Sequence, residues 1–252
     1  MSFAVSADAY DRFMGRYSVQ LAPEFADFAG VASGQRVLDV GCGPGALTGE
    51  LVKRVGAEAV SAVDPSESFV VAVGERYRGV DVRHVAAEEL PFVDGAFDAA
   101  LAQLVVHFMS DPVRGLGEMA RVTRRGGVVA ACVWDHAGGS GPLSAFWQAA
   151  RELDRDVHDQ SDLAGTREGH LAELLAAAGL RNVESAVLSV SVEHPSFEEW
   201  WEPFTLGVGP AGAYVLGLDP ARRDGLREHC RGVLPTARFT LTARAWAARG
   251  LR

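Results

Sequence analysis

Cysteine is scarce: Cys42, Cys132 and Cys230 are the only three in 252 residues, far apart and with no C-x-x-C pair. That excludes a disulfide framework and fits a reducing compartment. Basic residues are outnumbered, 24 Lys and Arg against 33 Asp and Glu, for a net charge of −9. Nothing suggests the basic surface that a nucleic-acid backbone requires, so no nucleic acid and a small-molecule partner are expected. No apolar stretch approaches the length that crosses a bilayer, and Met1-Ser2-Phe3-Ala4-Val5 lacks the basic segment, apolar run and cleavage site of a leader. The expectation is no membrane insertion and a cytoplasmic protein. The seven histidines are scattered, and Asp154-Arg155-Asp156-Val157-His158-Asp159 reads as a solvated loop, so no metal site is expected. Heptads, long exposed apolar helices, internal repeats and low-complexity tracts are also missing, which leaves the oligomeric state open.

What is present is an ordinary globular composition, 48% hydrophobic and 23% charged. Between Arg36 and Trp134 short apolar runs alternate with amphipathic segments, the signature of strand-helix units that build a parallel sheet. The runs are Val37 to Val40, Ala59 to Val63, Phe97 to Val106 and Val128 to Trp134, with a weaker edge strand at Val80 to Val85. Their near-continuous apolarity predicts strands covered on both faces. Leu47, Leu51, Val52 and Val55 share one helical face, and Phe69, Val73 and Tyr77 another. Ser66 can cap the second helix. Asp111-Pro112 opens a third that runs to about Arg124 and is ended by Gly126-Gly127. The layers are helix, sheet, helix, with site loops at the strands' carboxyl ends. Beyond Trp134, a Gly/Ser/Pro stretch and a charged loop through Asp162 precede a helix from about Arg167 to Ala178. Two alternating strands follow at Val183 to Val192 and Phe239 to Ala248. The expected organisation is one domain over 1–252, with a helical cap at 1–30, a binding core at 36–135 and an acceptor-side insertion at 193–235.

The chemistry begins at Gly41-Cys42-Gly43-Pro44-Gly45, a glycine-rich turn between a buried strand and a helix, where a ligand can approach the backbone closely. Asp39 precedes it, a carboxylate at the end of a buried strand where an apolar residue is the default. Asp64 closes the next strand, 19 residues after Gly45, where a carboxylate can accept hydrogen bonds from both hydroxyls of a ribose. The turn with these two acids points to an adenosine-containing cofactor.

Over roughly the first 135 residues the sequence resembles the class I S-adenosylmethionine-dependent methyltransferases, small-molecule type, most closely the ubiquinone and menaquinone methyltransferase group. Val37-Leu38-Asp39-Val40-Gly41-Cys42-Gly43-Pro44-Gly45 is similar to the family's first motif, and Val63-Asp64-Pro65-Ser66 to its acidic second. Glu88-Glu89-Leu90-Pro91-Phe92 with Phe97-Asp98 resembles the adenine loop and fourth strand. Glu118-Met119-Ala120-Arg121-Val122 with Gly126-Gly127 resembles the helix and turn before the fifth strand. The resemblance implies an α/β three-layer sandwich around a mostly parallel seven-stranded sheet whose last strand is antiparallel. It implies methyl transfer from S-adenosyl-L-methionine to a small molecule by in-line displacement, leaving S-adenosyl-L-homocysteine. Asp39 and the backbone of Gly41, Cys42, Gly43 and Gly45 would hold the methionine part, and Asp64, with Pro65 and Ser66, the ribose. Ala87 and Glu88 would lie against adenine, and Gln103 and Leu104 near the sulfonium end. Two departures stand out. Many relatives carry Asp where this chain has Ala86, so either Glu88 substitutes or backbone groups suffice, and the usual Pro before Gly-Gly is Arg125.

The cluster from Tyr10 to Tyr17 is similar to a segment that folds over the cofactor, with Tyr10 and Arg16 closing the site; equally it is a helix on the sheet edge. His107, just past the fourth strand, is the candidate base for a hydroxyl or thiol acceptor, and His136, after Trp134-Asp135, a second; each also reads as a packed histidine. Trp134, Trp200, Trp201 and Phe204 are expected near the acceptor. The last three sit with Tyr214 around Gly207-Val208-Gly209-Pro210, behind the capping-box pattern Ser196-x-x-Glu199. They form either an acceptor lid or a satellite core. A nicotinamide dehydrogenase is the rival on the same fold, but its turn is usually G-x-G-x-x-G. A non-catalytic protein that binds S-adenosylmethionine is the rival from another class.

Overall fold

The computed structural model describes residues 7–252; residues 1–6 of the expected 1–30 cap lie outside the described residues. A short helix α1 (Ala7–Tyr10) runs through a wider π turn (Asp11–Gly15) into α2 (Arg16–Ala29). Then follow β1 (Val37–Val40), α3 (Ala46–Val55), β2 (Val60–Asp64), α4 (Glu67–Arg76), β3 (Asp81–His84), β4 (Phe97–Gln103), α5 (Pro112–Val122) and β5 (Thr123–Trp134). The second half holds α6 (Ser144–Leu153), α7 (His170–Ala177), β6 (Arg181–His194), α8 (Phe197–Trp201), α9 (Gly209–Gly217), α10 (Pro220–Val233) and β7 (Phe239–Leu251).

The seven strands form one sheet in the order β3-β2-β1-β4-β5-β7-β6. β1 to β5 pair in parallel, and β7 lies between β5 and β6, antiparallel to both. This is the α/β three-layer architecture with an antiparallel last strand, and β3 is the edge strand the interrupted pattern predicts. The central strands are buried on both faces because helices cover both. Leu101, Ala130, Cys132 and Trp134 pack toward α2, α3 and α6, whereas Ala100, Ala102, Val129, Ala131 and Val133 pack toward α5 and α7. The reversal of strand order beside β1 opens a crevice at the carboxyl ends of β1 and β4, where ligands bind in open α/β sheets.

The third helix is shorter than expected. Asp111 does cap it, accepting from the Arg114 N–H at 3.0 Å, but α5 ends at Val122. Gly126-Gly127 is not its stop: β5 already begins at Thr123, and residues 124–127 bulge opposite the single residue Asp98. Gly127 is needed there because a Cβ would lie 2.6 Å from the Asp98 carbonyl oxygen. Ser66 occupies the N-cap position of α4 without capping it through its side chain. Its hydroxyl instead meets Ser68 Oγ at 2.9 Å. Among the described residues no helix is long and apolar enough to cross a membrane.

Candidate functional site

β1 delivers Asp39 and then the glycine turn to the carboxyl edge. The Gly41 and Cys42 N–H groups both donate to Val63 O, at 2.8 and 3.0 Å, which clamps the turn against β2. Gly43 has φ +52, and no atom lies within 4 Å of where its Cβ would be, so its bare backbone faces open space. Gly45 serves packing instead: with φ +99 it starts α3, and a Cβ would sit 2.7 Å from the Tyr77 ring. Cys42 is buried on the other side of the turn with Ala62 and Val73.

The two carboxylates are held differently. Asp64 Oδ2 accepts from the Gly43 N–H at 2.9 Å and Oδ1 from the Ser66 N–H at 2.8 Å. Burial raises its pKa, and those two hydrogen bonds pull it partly back. Asp39 is 1% exposed; its Oδ2 accepts from Thr48 Oγ1 at 2.6 Å, and its Oδ1 has no partner. Burial pushes Asp39 up to about 7, with the Thr48 hydroxyl opposing. A buried carboxylate oxygen without a donor costs free energy that a bound cation or N–H would recover.

Next to the turn lies a cavity of about 230 Å³ lined by Tyr10, Gly41, Gly43, Asp64, Pro65, Phe69, Ala86, Ala87, Glu88, Gln103, Leu104, Val105, Phe108, Met109 and Ser110. The structure thus brings Tyr10, Gly41, Gly43, Asp64, Pro65, Ala87, Glu88, Gln103 and Leu104 of the sequence-predicted set to one place. Asp39 lies behind the turn, and Cys42, Gly45 and Ser66 support it from outside the cavity wall. Arg16 goes elsewhere: its Nη1 donates to Glu199 Oε2 at 2.9 Å and meets His194 Nδ1 at 3.0 Å, while its Nη2 ion-pairs with Glu199 Oε1. Glu199, placed by the sequence in a capping box, therefore clamps the N-terminal helices, although Ser196 does cap the Glu199 N–H at 3.3 Å. On the opposite side Arg76 ties Pro44 O, at 2.9 Å, to Asp11 of the π turn, at 3.0 Å. The N-terminal helices are thereby fastened both to the glycine turn and to the region after β6.

Ala86 lines the cavity with no polar side chain, and Glu88 is already engaged, its Oε1 accepting from the Ser110 and Asp111 N–H groups at 2.8 and 3.2 Å. Gln103 Nε2 donates to Ser18 O at 3.1 Å, and its Oε1 is buried without a partner. Leu104 adopts φ +63, a left-handed conformation that costs a side-chain-bearing residue on the order of 1–3 kcal/mol. That strain sits where the large cavity meets a second one.

The second cavity, about 40 Å³, shares Tyr10, Leu104 and Phe108 with the first. Phe13, Met14, His107, Trp134, His136, Leu143, Gln160, Val208, Gly209 and Pro210 complete it. The His107 and His136 rings are 5.9 Å apart. Burial holds His107 well below the ordinary histidine value and His136 down to about 4, so both are neutral near pH 7. Trp200, Trp201 and Phe204 do not line this cavity. They are 3%, 6% and 2% exposed and pack with Phe146 and Phe197, Phe204 stacking on Phe146 at 4.5 Å. Trp200 and Phe204 line instead an adjoining smaller cavity that shares Phe13, Met14 and Leu143 with this one, and of the expected lid Val208-Gly209-Pro210 reaches the 40 Å³ cavity. Gln160 was not foreseen, since a glutamine in a charged loop carries no sequence signal.

Residues 38–131 match the family model described as "Methyltransferase domain". The chain is 38% identical over 106 residues to a ubiquinone/menaquinone biosynthesis C-methyltransferase of Bdellovibrio bacteriovorus, covering 40% of this chain and 45% of that one. It is 35% identical over 153 residues to a ubiquinone biosynthesis O-methyltransferase of Rhizobium etli, covering 58% and 60%. The chain thus spans about half the length of the curated relatives it matches. Among solved structures, a phosphoethanolamine N-methyltransferase of Haemonchus contortus in complex with S-adenosylhomocysteine has the same fold, with TM-score 0.58, 16% identity and coverage of 100% of this chain and 60% of that one.

Proposed function

Because residues 38–131 place the chain among the class I S-adenosylmethionine-dependent methyltransferases, similar to the ubiquinone group, we propose that it transfers a methyl group from S-adenosylmethionine to a small molecule. The observation that carries this reading is the unpartnered Asp39 Oδ1, buried behind a glycine turn that opens onto a cavity ending in a second carboxylate. A donor with a cationic ammonium and a ribose fits that pair of acids. When bound, it supplies a methyl on a positive sulfur, a carbon already activated for displacement.

The chain's own residues bind, orient and exclude water. Asp39, behind the turn, would offer its free Oδ1 to the positive charge of the methionine part, and the turn's bare backbone would let that part approach. Asp64 Oδ1 and Oδ2 each accept one N–H, which fixes the carboxylate and leaves acceptor capacity for ribose hydroxyls. With Ala86 apolar and Glu88 Oε1 engaged, adenine would be held by apolar walls such as Phe69, Val105 and Met109 and by backbone groups. Tyr10 and Leu104 stand between donor and acceptor cavities and align the two reactants, which supplies most of the acceleration in a displacement of this kind. The test is incubation with methyl-labelled S-adenosylmethionine and a metabolite extract. A labelled small molecule is expected; cofactor bound without any transfer would favour a non-catalytic binding protein.

A further inference from the structure

Three residues that line the smaller cavity each carry a buried polar atom with no partner: Trp134 Nε1, Gln160 Oε1 and His107 Nδ1. Their residues are 2%, 4% and 8% exposed and come from the end of β5, the loop after α6 and the turn after β4. A buried polar group left unsatisfied is costly, so three of them on the wall of one cavity call for a ligand that brings hydrogen-bonding groups of its own. Apart from His136 and Tyr10 the rest of the wall is apolar, and among the described residues no Lys, Arg, Asp or Glu lines it.

We propose that this cavity receives an uncharged hydroxyl group of the methyl acceptor, gripped by Trp134, Gln160 and His107, so that the protein is an O-methyltransferase of a neutral alcohol or phenol. The inference rests on the methyl-transfer reading above. Its logic is complementarity: the indole N–H can only donate and the amide oxygen can only accept. The entering atom must therefore accept one hydrogen bond and donate another, which a hydroxyl does. A carboxylate would repel Gln160 Oε1, and an ammonium would face the Trp134 N–H with no counter-ion present. At about 40 Å³ the space holds about three water-sized groups, taking 10–15 Å³ each, which suits the reacting end of a molecule.

As the O–CH3 bond forms and the S–CH3 bond breaks, the electron pair of the broken bond stays on sulfur, which becomes a neutral thioether. The hydroxyl has one proton and faces two acceptors: the proton is donated to Gln160 Oε1 as the group enters, swings to the unprotonated His107 Nδ1 as the bond forms, and passes from there to solvent. One methyl group moves and one proton is released, so no other reactant is required. Among the described residues the other titratable groups on the cavity wall are His136, neutral near pH 7, and Tyr10, pushed up to about 12 by burial.

The test is to identify the bond that carries label after the full chain is incubated with methyl-labelled S-adenosylmethionine and a metabolite extract. An O–CH3 ether on a neutral molecule is expected. Label on nitrogen, carbon, sulfur or a carboxylate overturns this inference while leaving methyl transfer standing, and no labelled product overturns both. With the product's precursor as substrate, Trp134→Phe and Gln160→Met should each raise KM roughly tenfold, the equivalent of one hydrogen bond, with S-adenosylmethionine affinity unchanged as the check of folding. His107→Gln should lower kcat about 100-fold and abolish the acid limb of the pH profile, which lies below pH 6.5. An unaltered KM in both binding variants, or an acid limb that survives His107→Gln, contradicts the assignment.

Discussion

The two sides of the crevice are built by different rules. The proposed donor side, from β1 to the turn after β4, consists of short segments that each reach the larger cavity where a strand ends, so a local motif positions each of them. The proposed acceptor side is assembled from the N-terminal helices, the ends of β4 and β5, the loop at Gln160 and the start of α9, and is held by contacts distant in sequence. Arg16 and Glu199 are 183 residues apart, and Tyr17 OH meets His194 Nε2 at 2.9 Å across 177. A shared fold can therefore retain one donor while the acceptor changes, and the matched relatives include a C-methyltransferase and an O-methyltransferase.

The largest effect should come from breaking the acceptor side's own core. Phe146→Ala removes a fully buried ring that stacks on Phe204, and it should cost about 3–5 kcal/mol of stability in denaturant unfolding. If the two sides fold as one unit, a single transition shifts; separate transitions would show the acceptor side to be an independent module. Next, Asp64→Ala should weaken S-adenosylmethionine binding by about 100-fold, the loss of charge-assisted hydrogen bonds at about 1.5–3 kcal/mol, measured by calorimetry.

Asp39→Asn sharpens the comparison through pH. The unfolded carboxyl loses its proton near the ordinary value of 3.8, whereas the folded one keeps it to about 7. The folded chain binds more protons in that window, so this group's contribution to stability is full below it, falls as pH rises to about 7 and is flat above. Asn, which can still accept from Thr48, should remove that slope in Tm against pH and weaken S-adenosylmethionine binding. Binding of the cationic donor to the wild type near pH 6 should release protons, seen as a dependence of calorimetric heat on buffer ionisation; an identical heat in every buffer would count against Asp39 as its partner. The smallest effect belongs to Arg16→Ala. Its ion pair with Glu199 is only partly buried, the side chains 23% and 35% exposed, so about 1 kcal/mol of stability is expected with S-adenosylmethionine affinity near that of the wild type. A large loss of affinity would return Arg16 to the donor site.

What was legible in the sequence follows the same division. The strands at Val37 to Val40 and Ala59 to Val63, the glycine turn and the two acids announce themselves because turn chemistry and buried runs are local properties. The start of β5 was misplaced because Gly126-Gly127 resembles a helix stop, and only its pairing opposite Asp98 makes it a bulge. Glu199 looks like a cap in the sequence because its ion-pair partner Arg16 lies on a helix at the other end of the chain. Trp200 and Trp201 could be wall or core until Phe146 and Phe197 were seen against them. Gln160 acquires meaning only from a cavity that no single segment encodes.

The central claim is that Asp39, the glycine turn and Asp64 form a site for S-adenosylmethionine, and calorimetric titration of that compound into the wild type and Asp64→Ala tests it most directly. One site per chain, weakened about 100-fold in the variant, is the predicted result. Equal affinity in both proteins, or a nicotinamide dinucleotide bound in its place, would contradict it.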